Sequence, residues 1–286
     1  MESKIPKIYV LGSTGYIGEA LYSYLKIKYS GDVKSAGRQG CDVYVELAKD
    51  FSELVNLVSE NDIVVFLSSI SSPDICKQQP ELAQKVNVLS TISLIEKLTA
   101  KAVKVIFTST DIVFGNTDKA VDDTSALAPF GDYGQMKASV EAAVSDNSLV
   151  KVIRFSYVLG EGDKYTTMMA ELSENEEELE VFDGFERNAV SLDDVVFGIY
   201  QLIINWHDID SSAINFSGPE LISRLKITDL FNRNVCSNLK YKAIEAPAGF
   251  WNARPKTIEM KSEIFSTLLG REPITIEHKL KNWSLT

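Results

Sequence analysis

The sequence has few of the residues that build disulfide frameworks or metal sites, with three cysteines and two histidines among 286 residues. Cys41, Cys76 and Cys236 are odd in number, lie far apart and show no C-x-x-C spacing, which favours free thiols in a reducing compartment. His207 and His278 have no partner at metal-ligand spacing. We therefore expect neither a disulfide scaffold nor a zinc site.

Long apolar runs and positive charge are also scarce. No apolar run approaches the ~18 residues of a membrane-spanning helix, and residues 1–6 lack the apolar core of a signal peptide. We therefore expect a cytoplasmic protein without a membrane partner. Lysines and arginines number 29 against 40 aspartates and glutamates, a formal net charge of −11. Such a surface repels phosphate backbones, which argues against nucleic acid as a partner, whereas a local cluster of donors can still hold a small anion.

Short apolar runs alternate with amphipathic segments from residue 7 to about residue 155. The run at 62–67 is apolar on both faces, as a central parallel strand between two layers of helices must be. The predicted strands are 7–11, 33–36, 42–47, 62–67, 103–107 and 149–155, and the predicted helices are 15–28, 80–99 and 133–144. This pattern predicts an α/β fold, a doubly wound parallel sheet of the Rossmann type, with ligands beyond the carboxyl ends of the strands.

The alternation weakens after Gly160. We interpret the glutamate-rich segment 173–180 as a solvated helix face or a mobile loop without function. Further predicted elements are a helix at 195–205 that packs back on the sheet, a strand at 213–216 and a helix at 223–232 capped by Ser223. The predicted organisation is a dinucleotide-binding domain at 1–160 and a smaller α/β substrate-binding part at 161–286.

Three glycines follow the first predicted strand and open the first predicted helix, in the spacing G-x-x-G-x-x-G. Such a turn lets backbone approach a pyrophosphate closely and aims helix N–H groups at it. The alternative is a plain strand-to-helix turn, which rarely needs three glycines. We predict a nicotinamide dinucleotide cofactor, and the residues assigned to it here are Gly12, Thr14, Gly15, Tyr16, Ile17 and Gly18.

Arg38 follows the second predicted strand, where the adenosine ribose of a dinucleotide is expected. An acidic residue there would bind a 2′-hydroxyl, whereas a guanidinium suits a 2′-phosphate. The segment 35–38 contains no acid. We therefore expect NADP(H) in preference to NAD(H), the alternative being that Arg38 is an ordinary surface arginine.

Tyr133 and Lys137 are one helical turn apart on the same predicted helix face. An ammonium beside the phenol should lower the phenol's pKa and make it a competent proton donor and acceptor. Thr110, at a predicted strand end, is in position to hydrogen-bond a substrate carbonyl. The alternative is a surface tyrosine with Lys137 paired to Glu141.

The glycine turn, the serine- and threonine-rich strand end and the Y-x-x-x-K pair together resemble the extended short-chain dehydrogenase/reductase superfamily. Residues 109–114 (STDIVF) look like the STD-x-VF motif of dTDP-4-dehydrorhamnose reductases. The similarity continues in residues 152–160, 187–194, 216–220 and 254–257, and so runs from residue 7 to about residue 260.

The resemblance implies roles for individual residues. Tyr133 would be the general acid, Lys137 would bind the nicotinamide ribose and depress the pKa of the tyrosine, and Thr110 would polarise the keto oxygen. Asp111 would help to position Thr110 or the substrate. The implied cofactor contacts outside the glycine turn, including Glu46 near the adenine and Asn87 as a support, are Glu46, Leu47, Ser68, Ser69, Ile70 and Asn87.

The substrate side is less marked in the sequence. Arg187 and Arg254 are the candidates to hold a diphosphate bidentately, with a structural salt bridge as the alternative for Arg187. The sugar-nucleotide dehydratases carry a glutamate where this chain has Ile112, which has no proton to give, so dehydration is not expected.

The resemblance implies an NADPH-dependent reductase of a nucleotide-linked 4-keto-6-deoxy sugar, acting in deoxysugar biosynthesis, with a homodimer as the candidate assembly. Two alternatives stay open. One is a nucleotide-sugar 4-epimerase that retains NAD. The other is a non-catalytic dinucleotide-binding subunit, because a regulatory subunit of methionine adenosyltransferase is similar in sequence to these reductases.

Overall fold

Seven parallel strands form the central sheet of the protein, in the order β11-β6-β5-β4-β1-β2-β3. The computed structural model describes residues 5–252 and 254–283. The strands are β1 (Ile8–Leu11), β2 (Val33–Gly37), β3 (Val43–Tyr44), β4 (Ile63–Phe66), β5 (Lys104–Thr110), β6 (Val150–Phe155), β7 (Val158–Leu159), β8 (Glu178–Phe182), β9 (Glu186–Arg187), β10 (Val190–Ser191), β11 (Ala213–Phe216), β12 (Ile222–Ser223), β13 (Lys240–Ile244) and β14 (Thr257–Ile258).

Helices cover both faces of this sheet, which confirms the predicted doubly wound α/β fold. They are α1 (Tyr16–Lys28), α2 (Ser52–Leu57), α3 (Pro73–Gln78), α4 (Pro80–Gln84), α5 (Thr91–Thr99), α6 (Gly131–Val144), α7 (Lys164–Glu174), α8 (Leu192–Ile204), α9 (Arg224–Asn234), α10 (Glu263–Leu269) and α11 (Ile276–Lys281). No helix among the described residues is long and apolar enough to cross a membrane.

The central strands are apolar throughout because each of their faces is buried. In β1, Ile8 and Val10 pack into one apolar layer, and Tyr9 and Leu11 pack into the layer on the other side of the sheet. Full burial of one such aliphatic side chain contributes about 1.5–3 kcal/mol. The chain leaves β1 toward β2 on one side and returns to β4 on the other, so the strand order switches at the carboxyl end of β1.

Part of the sequence after residue 160 also builds this unit. Strand β11 pairs with β6 at the edge of the sheet, and α8 packs against α1, as expected for a helix near 195–205. Smaller sheets and a third apolar cluster, which includes Leu159, Tyr165 and Phe231, complete the C-terminal part. The division at residue 160 stays a prediction.

Two segments differ from expectation. The predicted helix 80–99 contains a π-helical turn at Lys85–Ser90, between α4 and α5. In the glutamate-rich segment, α7 ends at Glu174 and the strand β8 begins at Glu178, where Lys242 of β13 pairs with Glu178 and Glu180 at 2.9 and 3.3 Å. The interpretation of residues 178–180 as a helix face or loop was therefore wrong, because cross-strand pairing with lysine offsets the repulsion between the glutamates.

Candidate active site

The glycine turn is packed so tightly that side chains cannot enter it. Gly12 has φ +92°, and a Cβ on Gly18 would lie 2.1 Å from the carbonyl oxygen of Gly12. Gly15 is the N-cap of α1 and offers no side chain to the first-turn N–H groups. These N–H groups and the positive end of the helix dipole are therefore free to hold an anion.

A cavity of about 360 Å³ opens beside this turn, at the carboxyl ends of β1, β2 and β4. Its lining includes nine residues that sequence reasoning assigned to the cofactor: Gly12, Thr14, Gly15, Arg38, Glu46, Leu47, Ser68, Ser69 and Ile70. Arg38 follows β2 and Glu46 follows β3, so both line the cavity from the side of these two strands. It has the position that a dinucleotide takes in this type of fold.

Tyr16, Ile17 and Gly18 do not line the cavity. The hydroxyl of Tyr16 is buried without a hydrogen-bond partner and lies where a Cβ on Gly160 would be 2.8 Å away. Ile17 packs against the apolar layer on one side of the sheet. Tyr16 and Ile17 therefore pack into the protein interior. The contact of all three residues with the cofactor stays a prediction.

Asn87 is buried in the π-helical turn and supports the loop after β4. Its side-chain amide accepts a hydrogen bond from the N–H of Ile70 at 2.8 Å and donates one to the carbonyl of Ile70 at 2.9 Å. Asn87 thus holds the backbone of Ile70, and the loop 68–70 lines the cavity. π-Helical turns such as the one that carries Asn87 are rare and recur at functional sites.

Lys137 is buried and donates from Nζ to the carbonyl of Thr108 at 2.7 Å. Glu141 is not its partner. The Glu141 carboxylate instead pairs with Arg154 at 2.8 Å and accepts a hydrogen bond from Ser109 Oγ. The alternative of a surface Lys137–Glu141 pair is therefore excluded. Burial lowers the pKa of Lys137 to about 7, against the opposing charge of Glu141.

Tyr133 lies beside Lys137, whose Nζ is 5.8 Å from the centre of the phenol ring. Burial raises the pKa of Tyr133 to about 12, with a smaller opposing contribution from Ser69. Lys137 is not among the groups that shift this pKa, so the expectation that its ammonium lowers the pKa is not met, and burial is the largest influence. The phenol is therefore neutral at neutral pH, the form in which it donates a proton.

Thr110 ends β5 and caps the short helical turn 111–114. Its hydroxyl donates to Asp111 Oδ1 at 3.2 Å and accepts from the N–H of Ile112 at 3.4 Å. Asp111 in turn pairs through Oδ2 with Arg187 Nε at 3.1 Å, and both side chains are buried. Burial raises the pKa of Asp111, whereas the guanidinium of Arg187 lowers it.

Three of the other four N–H donors of Arg187 bond the backbone carbonyls of Glu186, Pro255 and Lys256. This is the structural salt bridge that the sequence left as the alternative, and we do not retain Arg187 as a diphosphate ligand. Arg254 differs, because it is partly exposed and pairs at 2.9 Å with the exposed Asp74 of α3. A surface pair of this kind contributes about 0–1 kcal/mol, so an anionic ligand can displace Asp74.

A larger cavity of about 760 Å³ lies elsewhere, between the loop 120–124 and α10. Its lining carries one lysine, Lys261, and five carboxylates, which are Asp122, Asp123, Glu259, Glu263 and Glu272. That balance repels an anionic nucleotide. The smaller cavity beside the glycine turn is therefore the candidate site.

Sequence reasoning missed two sets of residues near this site. Ser109 and Arg154 hold Glu141, as described above, and their pairing depends on the alignment of β5, β6 and α6. Arg224 lies among aromatic rings at the start of α9. No local pattern in the sequence marks these contacts.

Solved structures with the same fold include enzymes that act on nucleotide sugars. The chain superposes on dTDP-4-dehydrorhamnose reductase from Bacillus anthracis, solved in complex with NADP, with a TM-score of 0.83, 19% identity and 99% of each chain covered. It superposes on UDP-glucuronic acid 4-epimerase from Bacillus cereus, solved with UDP-glucuronic acid and NAD, with a TM-score of 0.76, 19% identity and 96% of each chain covered.

Two curated relatives represent different functions. The beta subunit of methionine adenosyltransferase 2 from Mus musculus is 26% identical over 169 residues, 57% of this chain and 51% of that protein. dTDP-4-dehydrorhamnose reductase from Escherichia coli (strain K12) is 30% identical over 154 residues, 52% of each protein. The chain thus spans about half the length of the curated relatives it matches. The family model for the RmlD substrate binding domain matches residues 6–283, and the chain therefore belongs to the RmlD substrate binding domain family.

Proposed function

We propose that this protein is an NADP(H)-dependent reductase of a nucleotide-linked 4-keto-6-deoxy sugar. The observation that carries the proposal is the convergence of Thr110, Tyr133 and Lys137 at the carboxyl end of β5, where Lys137 bonds the backbone of Thr108. The family membership and the similarity to dTDP-4-dehydrorhamnose reductase support it.

The residues beside the glycine turn fit a dinucleotide. The first turn of α1 has free N–H groups for a pyrophosphate. Arg38 is exposed and forms no salt bridge with any residue that the structure describes, so its guanidinium is free for a 2′-phosphate. Tyr44 and Lys49 hold the carboxylate of Glu46 at 2.7 and 3.0 Å, at the adenine end of the cavity.

Each catalytic residue has a separate task in the proposed reaction. The dinucleotide, when bound, supplies the hydride that reduces the keto carbon. Tyr133, neutral at physiological pH, donates its phenolic proton to the keto oxygen. The Thr110 hydroxyl, which donates to Asp111 in the structure, would turn its one proton to the same oxygen. Lys137 would hold the ribose hydroxyls of the cofactor and balance the charge as the phenolate forms.

The test is an NADPH-oxidation assay against a panel of nucleotide-linked 4-keto sugars. We expect turnover of a dTDP-linked keto sugar by the protein, and we expect Tyr133→Phe to bind NADPH normally while losing turnover by at least ~100-fold, the usual range for a general acid. Tyr241→Phe, which alters a hydroxyl bound to Asp229 far from the site, is the matched control. Reduction retained by Tyr133→Phe would overturn the assignment.

The similarity to the beta subunit of methionine adenosyltransferase 2 supports a second candidate, a dinucleotide-binding regulatory subunit. Affinity purification of the native protein separates the two. A stoichiometric catalytic partner, together with no reduction of any keto sugar, would favour the regulatory function. NAD released from the denatured protein, in place of NADP, would favour the 4-epimerase alternative.

A further inference from the structure

Four arginines of the chain differ in whether a carboxylate pairs with their guanidinium group. Arg154 pairs with Glu141, Arg187 with Asp111 and Arg254 with Asp74. Among the residues that the structure describes, the guanidinium of Arg224 has no carboxylate within 4.0 Å and makes no hydrogen bond. Five N–H donors of this side chain are therefore left for solvent or a ligand.

Aromatic rings hold the free guanidinium in place. Its central carbon lies 4.5 Å from the ring centre of Tyr165, 4.6 Å from Phe185 and 6.0 Å from Tyr157. Rings attract a cation through their faces but satisfy none of its in-plane N–H donors. Arg224 is partly exposed, so these rings orient its donors without closing them off from a ligand.

Backbone pairing fixes Arg224 beside β9, the strand that carries Arg187. Strand β12 pairs antiparallel with β9, and the N–H of Arg224 donates to the carbonyl of Phe185 at 2.9 Å. Both guanidinium groups contact the Phe185 ring, with Cζ of Arg187 at 4.3 Å and Cζ of Arg224 at 4.6 Å from its centre. Arg187 bonds Asp111, the residue after Thr110. Arg224 thus shares a ring with Arg187, and Arg187 pairs with the Asp111 carboxylate that accepts a hydrogen bond from Thr110.

We infer that Arg224 binds an oxyanion of the nucleotide-sugar substrate, and that it binds the diphosphate bidentately. The inference rests on the proposed function. A planar guanidinium matches two phosphate oxygens. Burial raises the pKa of Asp163, whereas the Arg224 guanidinium lowers it without a salt bridge between them, so the donors of Arg224 stay available to a ligand. Because Arg187 is already engaged, this task falls to Arg224 and to Arg254, whose partner Asp74 a ligand can displace.

Binding measurements test the inference without turnover. The affinities of dTDP, UDP-glucose and UDP-glucuronic acid are measured by titration calorimetry for the protein and for Arg224→Gln, Arg224→Lys and Arg233→Gln. Arg233 lies on the same helix, is exposed and pairs with Asp229, so Arg233→Gln is the matched control. We expect Arg224→Gln to weaken all three ligands at least tenfold, Arg224→Lys to weaken them less, and the control to stay within twofold.

A carboxylate on the sugar is the other oxyanion that a guanidinium recognises. If Arg224 binds that group, only UDP-glucuronic acid will lose affinity in Arg224→Gln, and this result would overturn the assignment to the diphosphate. Unchanged affinity of Arg224→Gln for all three ligands would overturn the inference, and so would a native protein that binds none of them. Arg224→Lys keeps a cation among the rings. If Arg224→Gln misfolds, the affinities of Arg224→Lys still test the inference.

The outcome is distinguishable from that of the proposed function. Loss of dTDP affinity in Arg224→Gln, with no keto sugar reduced by the native protein, would support the anion ligand and reject the reductase. Reduction of a keto sugar with unchanged dTDP affinity in Arg224→Gln would do the reverse. NADPH affinity should be the same in all variants, because Arg224 lies outside the cavity beside the glycine turn.

Discussion

Lys137 is buried, and its Nζ bonds the backbone carbonyl of Thr108. Its pKa falls from 10.5 to about 7 on folding. Between these two values the unfolded chain binds more protons than the folded one, so the free energy of unfolding rises with pH across this range. Below pH 7 the cost of burying the ammonium is complete, and it disappears as the pH approaches 10.5.

We therefore predict that Lys137→Met removes this dependence on pH. Urea unfolding of the protein and the variant, measured from below pH 7 to pH 10, should give a difference in the free energy of unfolding that changes by at most roughly 5 kcal/mol over the range. The comparison between the variants cancels the groups that they share. Parallel stability curves would contradict a lowered pKa for Lys137.

Arg38 carries the prediction on cofactor choice. Arg38→Ala should weaken NADPH binding by about tenfold or more, since a hydrogen bond to a charged group contributes about 1.5–3 kcal/mol, and should leave NADH binding unchanged. Gln39→Ala, at the neighbouring exposed position, is the control. Equal weakening of both cofactors would mean that Arg38 does not read the 2′-phosphate.

At the scale of elements, two polar contacts one helical turn apart fasten the catalytic helix α6 to strand β5. Lys137 bonds the carbonyl of Thr108, and Glu141 accepts from Ser109 Oγ. Arg154 of β6 extends the chain of contacts, donating from Nε to Glu141 at 2.9 Å. The position of Tyr133 relative to Thr110 thus depends on a buried ion pair that neither residue touches.

Glu141→Gln should cost about 3–5 kcal/mol of stability, because it leaves the guanidinium of Arg154 buried without a counter-charge. Ser109→Ala should cost less, about 1.5–3 kcal/mol, since it removes one hydrogen bond to a charged group and leaves the ion pair in place. The double variant Glu141→Met with Arg154→Met should be more stable than Glu141→Gln, because both buried charges are gone. Equal unfolding free energies for Glu141→Gln and Ser109→Ala would contradict this account.

At the scale of the whole molecule, the apolar layer on one side of the sheet is built from both halves of the chain. Phe216 of β11 stacks on Phe265 of α10, with ring centres 4.2 Å apart, and both belong to the layer that contains Ile8 and Val10. A substitution that disrupts this layer therefore destabilises the packing on both sides of residue 160.

We therefore expect a single cooperative unfolding transition. Phe216→Ala should cost about 3–5 kcal/mol and shift the whole transition, followed by tryptophan fluorescence and by circular dichroism of the helices. The three tryptophans, Trp206, Trp251 and Trp283, all lie after residue 160, so they report on the C-terminal part. Two separate transitions would instead mean that the boundary at residue 160 divides independent folding units.

Local patterns in the sequence determined much of this architecture. Apolar runs set the buried strands, the helical period set α1, α6 and α8, and three glycines marked the turn at β1, because each signal depends on neighbours a few residues apart. The residues Thr110, Tyr133 and Lys137 were found in the same way, from a motif and its spacing.

Only the tertiary structure decided which charges meet. Arg187 pairs with Asp111, and Glu141 pairs with Arg154 instead of Lys137. Burial raises the pKa of the Tyr133 phenol. Long-range packing sets both the burial and the pairing. The π-helical turn that presents Asn87 to Ile70 has no local signal either. Periodicity determines which face of an element is buried, whereas the partner of each buried polar group is set by elements that the chain brings together from far away.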